Sequence, residues 1–229
     1  PSSLKLEKSI VLGVCAVGIP ASIQNLLNVT GMTVLNNFTA GYGSSAVAAM
    51  GIAQKINMVP MYIAQGFSQG LMPLVSYNYA SGGHKRMESA VRLAAGISTC
   101  FLAVVTLVYF LAAGPLVTLF IDSGEVVAYG TRFLRGMCIG LPFLSLDFLA
   151  VGVFQACGMG SKSLIFALLR KIVLEIPALF VLDRLFPLYG LAYAQPAAEI
   201  LLSAAAICVL AGIFRRLNSG ERSEGSSGT

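Results

Sequence analysis

Three stretches without a single charged side chain, residues 9–54, 56–83 and 93–121, decide what this chain can fold into. Each exceeds the roughly 20 apolar residues that a helix needs to cross a bilayer. The first is long enough for one span, a short turn and the start of the next. Soluble domains carry about 25% charged residues. Here the charged fraction is 11% and mean hydropathy is +0.80, so a soluble core could not hide this much apolar surface. The class is an all-α membrane protein.

Turn residues and charges divide the chain into six predicted spans, at about 11–39, 45–79, 87–120, 127–158, 164–182 and 190–214. Residues 1–10 read as a cytoplasmic lead-in or linker, and 217–229 (LNSGERSEGSSGT) as a disordered cytoplasmic tail. Gly-Tyr-Gly-Ser at 41–44 and Ser-Gly-Gly at 81–83 are turn sequences. Gly18-Ile19-Pro20 predicts a kink in span one and Gly140-Leu141-Pro142 a break in span four. Span two is too long for a straight perpendicular crossing, so it tilts, kinks near Pro60 or over Gly66–Pro73, or projects from the bilayer.

The loop charges alternate. Lys5 and Lys8 precede span one, and His84, Lys85, Arg86 and Arg92 follow span two. Lys162 follows span four, and Arg215 and Arg216 follow span six. The intervening loops are neutral, acidic (Asp122, Glu125) or mixed (Asp183, Arg184). By the positive-inside rule both termini are cytoplasmic and the protein is a multi-pass component of the plasma membrane. The net charge of +5 therefore reads as topology. The basic residues form no continuous face, which argues against a nucleic-acid partner.

Other classes recede. The five cysteines are far apart in apolar segments, with no metal or redox spacing, and read as small packing residues. The chain begins at Pro1, and no signal peptide is read. The single histidine, His84, lies in a basic loop. Without a nucleophile elbow, a HExxH or a phosphate-binding glycine loop, no enzyme, resident metal or cofactor is expected.

What remains is polarity inside the spans. Asp147 stands roughly 16 Å from the end of span four at Gly158, counted at 1.5 Å per residue, and so near mid-bilayer. An ionised aspartate there costs about 2.5–3.5 kcal/mol. It must be protonated, paired or facing water, which makes it a candidate proton- or cation-responsive group, with a structural hydrogen-bonding role as the alternative. Lys55, in span two, either snorkels to the interface or pairs with Asp147. Lys171 and Glu175 are spaced as a structural i, i+4 pair, and Glu199 after Pro196 reads as a helix-start carboxylate. Gln24, Asn28, Gln69, Asn78 and Gln155 are candidates to line a polar cavity. Singly, such amides are interhelical glue. Their crowding into spans one and two raises the case for a cavity.

Several strings, in order, resemble the multidrug and toxic compound extrusion (MATE) transporters. GIPASIQNLLN resembles the seventh helix of that family. AVAAMGIAQKI with GFSQGLMPLVSYNYASGGHKRM resembles the eighth. VFQACGMGSKSLIFALLRK resembles the end of the tenth and start of the eleventh, and EIPALFVLDRLFPLYGLAYAQPAAE the eleventh–twelfth hairpin. The resemblance runs over about residues 11–216 and is nearest to the bacterial subgroup that exports cationic drugs. It implies a twelve-helix transporter of two six-helix bundles, of which this chain is the C-terminal one. The partners implied are the lipid bilayer, the N-terminal bundle and small organic cations. The activity implied is secondary active efflux driven by inward H⁺ or Na⁺. Some members carry a cation-binding carboxylate on the tenth helix, where Asp147 falls. They also carry an acid on the seventh, eight residues after the proline, where this sequence has Asn28. That departure moves weight to Asp147 or to the other bundle. Two alternatives stand beside this reading: a lipid-linked oligosaccharide flippase of similar helix plan, which would call for several cavity arginines, and a non-transporting membrane partner.

Overall fold

The computed structural model describes residues 8–226, so most of the expected lead-in and the last three residues of the expected tail lie outside it. The elements are α1 (Lys8–Ala40), α2 (Ser44–Ala80), α3 (His84–Thr118), α4 (Gly124–Cys138), α5 (Leu141–Ala156), α6 (Gly160–Leu168), a π-helical segment (Leu169–Glu175), α7 (Ile176–Leu185) and α8 (Leu191–Ser226). They form six helical columns, of which α4–α5 and α6–π–α7 are each broken once. There is no strand among the described residues. Residues 217–226, expected to be disordered, continue α8 as helix. Propagating an existing helix is far easier than nucleating one.

The turns follow from glycine. Gly43 (φ 105°) and Gly82 (φ 75°) take backbone conformations closed to most residues, and they reverse the chain between α1 and α2 and between α2 and α3. Outside the apolar spans, the Tyr42 hydroxyl donates to Asp183 Oδ1 at 2.6 Å and ties this first turn to the end of α7. That bond, with a smaller contribution from desolvation, raises the Tyr42 pKa above its usual value. The folded value therefore exceeds the unfolded one. The contribution is full below about pH 10 and is lost as pH rises through the folded value. Tyr42→Phe should cost under about 1 kcal/mol at neutral pH and remove this alkaline dependence. Melting curves at pH 7 and above 10 test this.

Two columns are interrupted for local reasons. α4 and α5 meet at 48°, at the Gly140-Leu141-Pro142 break read from the sequence, with the proline at the start of α5. In the other column the amide of Ile176 donates to Lys171 O, an i→i−5 bond, just before Pro177. Proline lacks an N–H and crowds the preceding turn. The wider π turn absorbs the mismatch.

Small residues bring the columns together. Ala46, Ala49, Ala53, Ala192 and Ala194 are buried beside Met50, Phe133 and Leu134 in the largest apolar cluster. A Cβ on Gly136 would stand 2.9 Å from Ala192 Cβ, so only glycine permits this approach of α4 to α8. The outer surface is apolar instead of charged. Leu12, Leu93, Leu111 and Leu201 are each more than 60% exposed, as expected for side chains facing lipid.

Taken singly, α1, α3 and the apolar part of α8 have the length and hydropathy to cross a membrane, and the bent α4–α5 pair has them jointly. α2 and the separate pieces of the α6–π–α7 column do not meet both on their own, and α2 carries Gln54, Gln65 and Gln69 along its length. In a transport bundle polarity of this kind lines a cavity and is shielded from lipid.

Candidate functional site

The polar faces of α1, α2 and α5 and the π segment converge on one cavity. From α1 come Gln24, Asn25 and Asn28, and from α2 Gln65, Ser68 and Gln69. α5 adds Asp147, Phe148, Val151 and Gln155, and the π segment adds Arg170 and Lys171. Helical periodicity accounts for this. Gln24 and Asn28, Gln65 and Gln69, and Asp147, Val151 and Gln155 repeat every four residues, so each set occupies one face. Gly152 lets α5 approach α2. A Cβ there would collide with the Ser68 hydroxyl, which donates to Phe148 O at 2.7 Å.

One end is closed by a polar belt. Gln155 Nε2 donates to Ser163 Oγ at 3.1 Å and to Gln24 Oε1 at 3.4 Å, and Gln24 Nε2 donates to Ser163 Oγ at 3.3 Å. Beyond Phe148 and Arg170 the cavity opens into a chamber of about 320 Å³. Met32, Met58, Met61 and Met137 line it together with Gln54 and Asn57. Unbranched thioethers adapt to differently shaped apolar groups, so this chamber combines deformable walls with a few polar anchors.

Asp147 is 1% exposed. Both its carboxylate oxygens are buried without a hydrogen-bond partner among the described residues. The charged groups that act on it are the acid Glu199 and the cation Arg170. Arg170 donates to Asn28 Oδ1 at 2.7 Å and lies 5.4 Å from the centre of the Phe148 ring. Asn28 is thus the acceptor for an internal arginine. Next to Arg170, Lys171 Nζ lies 2.8 Å and 2.7 Å from the two carboxylate oxygens of Glu175. Gly31 covers that pair, since a Cβ on it would come within 3.1 Å of Nζ. Glu199, 2% exposed, accepts from Gln195 Nε2 at 2.7 Å.

Of the residues singled out from the sequence, Gln24, Asn28, Gln69, Gln155 and Asp147 meet at this cavity. Asn78 and Lys55 do not. Asn78 is buried at the far end of α2, where its Nδ2 donates to Leu74 O at 2.8 Å and its Oδ1 packs on Gly83. It finishes the helix and closes the turn. Lys55 cannot pair with Asp147. The α2 residue level with Phe148 is Ser68, and Lys55 precedes it by about 20 Å of helix, on an exposed face. Glu199 is a buried member of a charge cluster and not a simple helix-start carboxylate. Arg170 lines both the cavity and the chamber. No group of three or more His, Cys, Asp or Glu is placed to hold a metal ion among the described residues.

A helical membrane bundle with a polar cavity beside an adaptable apolar chamber defines a transporter-type fold. Comparison with known proteins identifies the family. The sequence model of the MatE family matches residues 20–181. The multidrug export protein MepA of Staphylococcus saprophyticus is 32% identical over 210 residues, covering 91% of this chain and 46% of its own length. MepA of a bovine Staphylococcus aureus strain is 33% identical over 211 residues, covering 90% and 45%. The chain belongs to the MatE family, and it spans about half the length of the curated relatives it matches. Solved structures agree on the fold. The MATE transporter VcmN of Vibrio cholerae in its bent form superposes with a TM-score of 0.86 at 22% identity, over 94% of this chain and 49% of that one. An outward-facing multidrug resistance MATE transporter superposes with 0.88 at 21% identity, over 95% and 50%.

Proposed function

We propose that this chain forms the C-terminal six-helix bundle of an exporter of small organic cations, completed by an N-terminal bundle, with both ends of the chain on the cytoplasmic side. Inward movement of H⁺ or Na⁺ drives export, and one bundle rocks against the other to expose the cleft to each side in turn. The observation that carries this reading is Asp147: a buried carboxylate with no hydrogen-bond partner among the described residues, on the wall of a polar cavity that opens into a methionine-lined chamber. An ionised Asp147 is stabilised by a cationic substrate, and a protonated one releases it. The amides Gln24, Asn28, Gln69 and Gln155 offer neutral hydrogen bonds around that charge, and the methionines accept varied apolar groups. A flippase for pyrophosphate-linked sugars is less well supported. Of the two cavity cations, Lys171 is held by Glu175 and Arg170 faces Asn28.

The test is ethidium efflux from energised cells expressing the protein or Asp147→Asn at matched levels. Efflux by the parent and a fall of at least about tenfold in the variant, the scale of losing one buried charge contact, is the expected result. Equal efflux by both keeps the exporter and removes Asp147 from its cycle. Efflux by neither overturns the organic-cation reading.

A further inference from the structure

The charges buried behind the cavity do not balance, and the imbalance has a specific location. The acids are Asp147 on α5, Glu175 at the end of the π segment and Glu199 on α8. The cations are Arg170 and Lys171 on the π segment. Asp147, Lys171, Glu175 and Glu199 are each less than 9% exposed. Lys171 and Glu175 are matched, nitrogen to both oxygens, at 2.7 and 2.8 Å. One cation, Arg170, is left for two acids, Asp147 and Glu199, and the guanidinium lies within electrostatic reach of both. Other packed elements supply no further compensation among the described residues. α1 presents the neutral Asn28 and α2 the neutral Gln65. Lys55 is exposed. Arg132 and Arg135 of α4 lie on other faces, against the rings of Tyr189 and Phe110. Within α8 the neighbour of Glu199 is neutral Gln195.

A desolvated net charge is costly, whereas a neutral assembly of the same groups is not. Two ionised acids on one arginine would leave the interior at net −1. We propose that Asp147 and Glu199 share a single negative charge opposite Arg170, so that Glu199 holds the proton that leaves when a cationic substrate settles against Asp147. The inference rests on the reading of Asp147 as the substrate-responsive acid. With the cavity empty, one acid is charged and the other neutral, and the cluster is balanced. A substrate cation adds one positive charge, both acids ionise, and one proton leaves for solvent. No bond other than O–H is broken. Glu199 is absent from the cavity lining, so it acts through Arg170 and Asp147 as a positioning residue. The structure is shaped for it. Gly140 has no side chain because a Cβ there would collide with the Glu199 carboxyl, and Gln195 fixes one oxygen at 2.7 Å.

The experiment counts protons. The protein at its natural length, purified in detergent, is titrated with tetraphenylphosphonium by calorimetry in buffers of different ionisation enthalpy. Linkage then gives the number of protons released per cation bound. The unaltered protein should release about one proton and Glu199→Gln about none, with cation affinity in the variant nearly flat between pH 5.5 and about 8. Glutamine preserves size and can still bond Gln195, so a purely structural Glu199 predicts an unchanged proton count, and that result would overturn the inference alone. No cation binding by the unaltered protein would overturn the reading of Asp147 as well. If Glu199→Gln does not fold, infrared spectra of the unaltered protein decide. A protonated carboxyl band must be present at neutral pH and vanish on cation binding, and its absence overturns the proposal.

Discussion

Lys171→Ala should leave little folded protein. Removing one member of a buried ion pair exposes its partner to an uncompensated low-dielectric site, at a cost of about 3–5 kcal/mol. Glu175 is 5% exposed and its carboxylate faces Lys171 through both oxygens. Gly31 packs against the pair from the α1 side. The double variant Lys171→Met, Glu175→Leu removes both charges and keeps most of the volume. It should recover most of the loss, because apolar replacement of a whole buried pair is often neutral. Thermal unfolding of the three proteins in detergent checks this. Equal melting of single and double variants would mean that the charges do not depend on one another.

Gly140→Ala should be the next most damaging. The added carbon would overlap the carboxyl of Glu199 and stand 3.0 Å from the α-carbon of Pro196. The carboxyl could swing away only by leaving Gln195, and the proline backbone cannot move without shifting α8. Overpacking of this kind costs about 1–3 kcal/mol. Gly66→Ala and Gly70→Ala on α2 are the controls. A Cβ at either meets nothing within 4 Å, and alanine in a helix is favoured by up to about 1 kcal/mol. A lower melting temperature for Gly140→Ala, beside unchanged or raised values for the controls, is the expected pattern.

Much of the cavity could be read from the sequence because polar side chains inside uncharged apolar runs have few reasons to be there. Gln24, Asn28, Gln155 and Asp147 are legible for that reason, and their four-residue spacing says which faces they share. The same signal misleads where one dimension cannot tell inside from outside. Lys55 interrupts an apolar run as conspicuously as Asp147, yet it points outward and lies two-thirds of a bilayer thickness away from it along α2, at about 20 Å. Asn78 looks like cavity lining but serves the end of its own helix. Arg170 and Glu199 were harder still. Their roles depend on how α8 packs beside the π segment, and nothing in the spacing of LLRKIVLEIP announces a π turn except the proline that follows it.

That wider turn has a consequence for how the two halves of its column are oriented. One surplus residue advances everything after it by about 100° of helical phase. The face that α6 turns toward α1 and the face that α7 turns toward α8 therefore need not be the same stripe of the cylinder. The offset lets a single crossing present Ser163 to Gln24 at one depth and the Lys171–Glu175 pair to Gly31 at another, while Leu179 remains fully buried in the main apolar cluster.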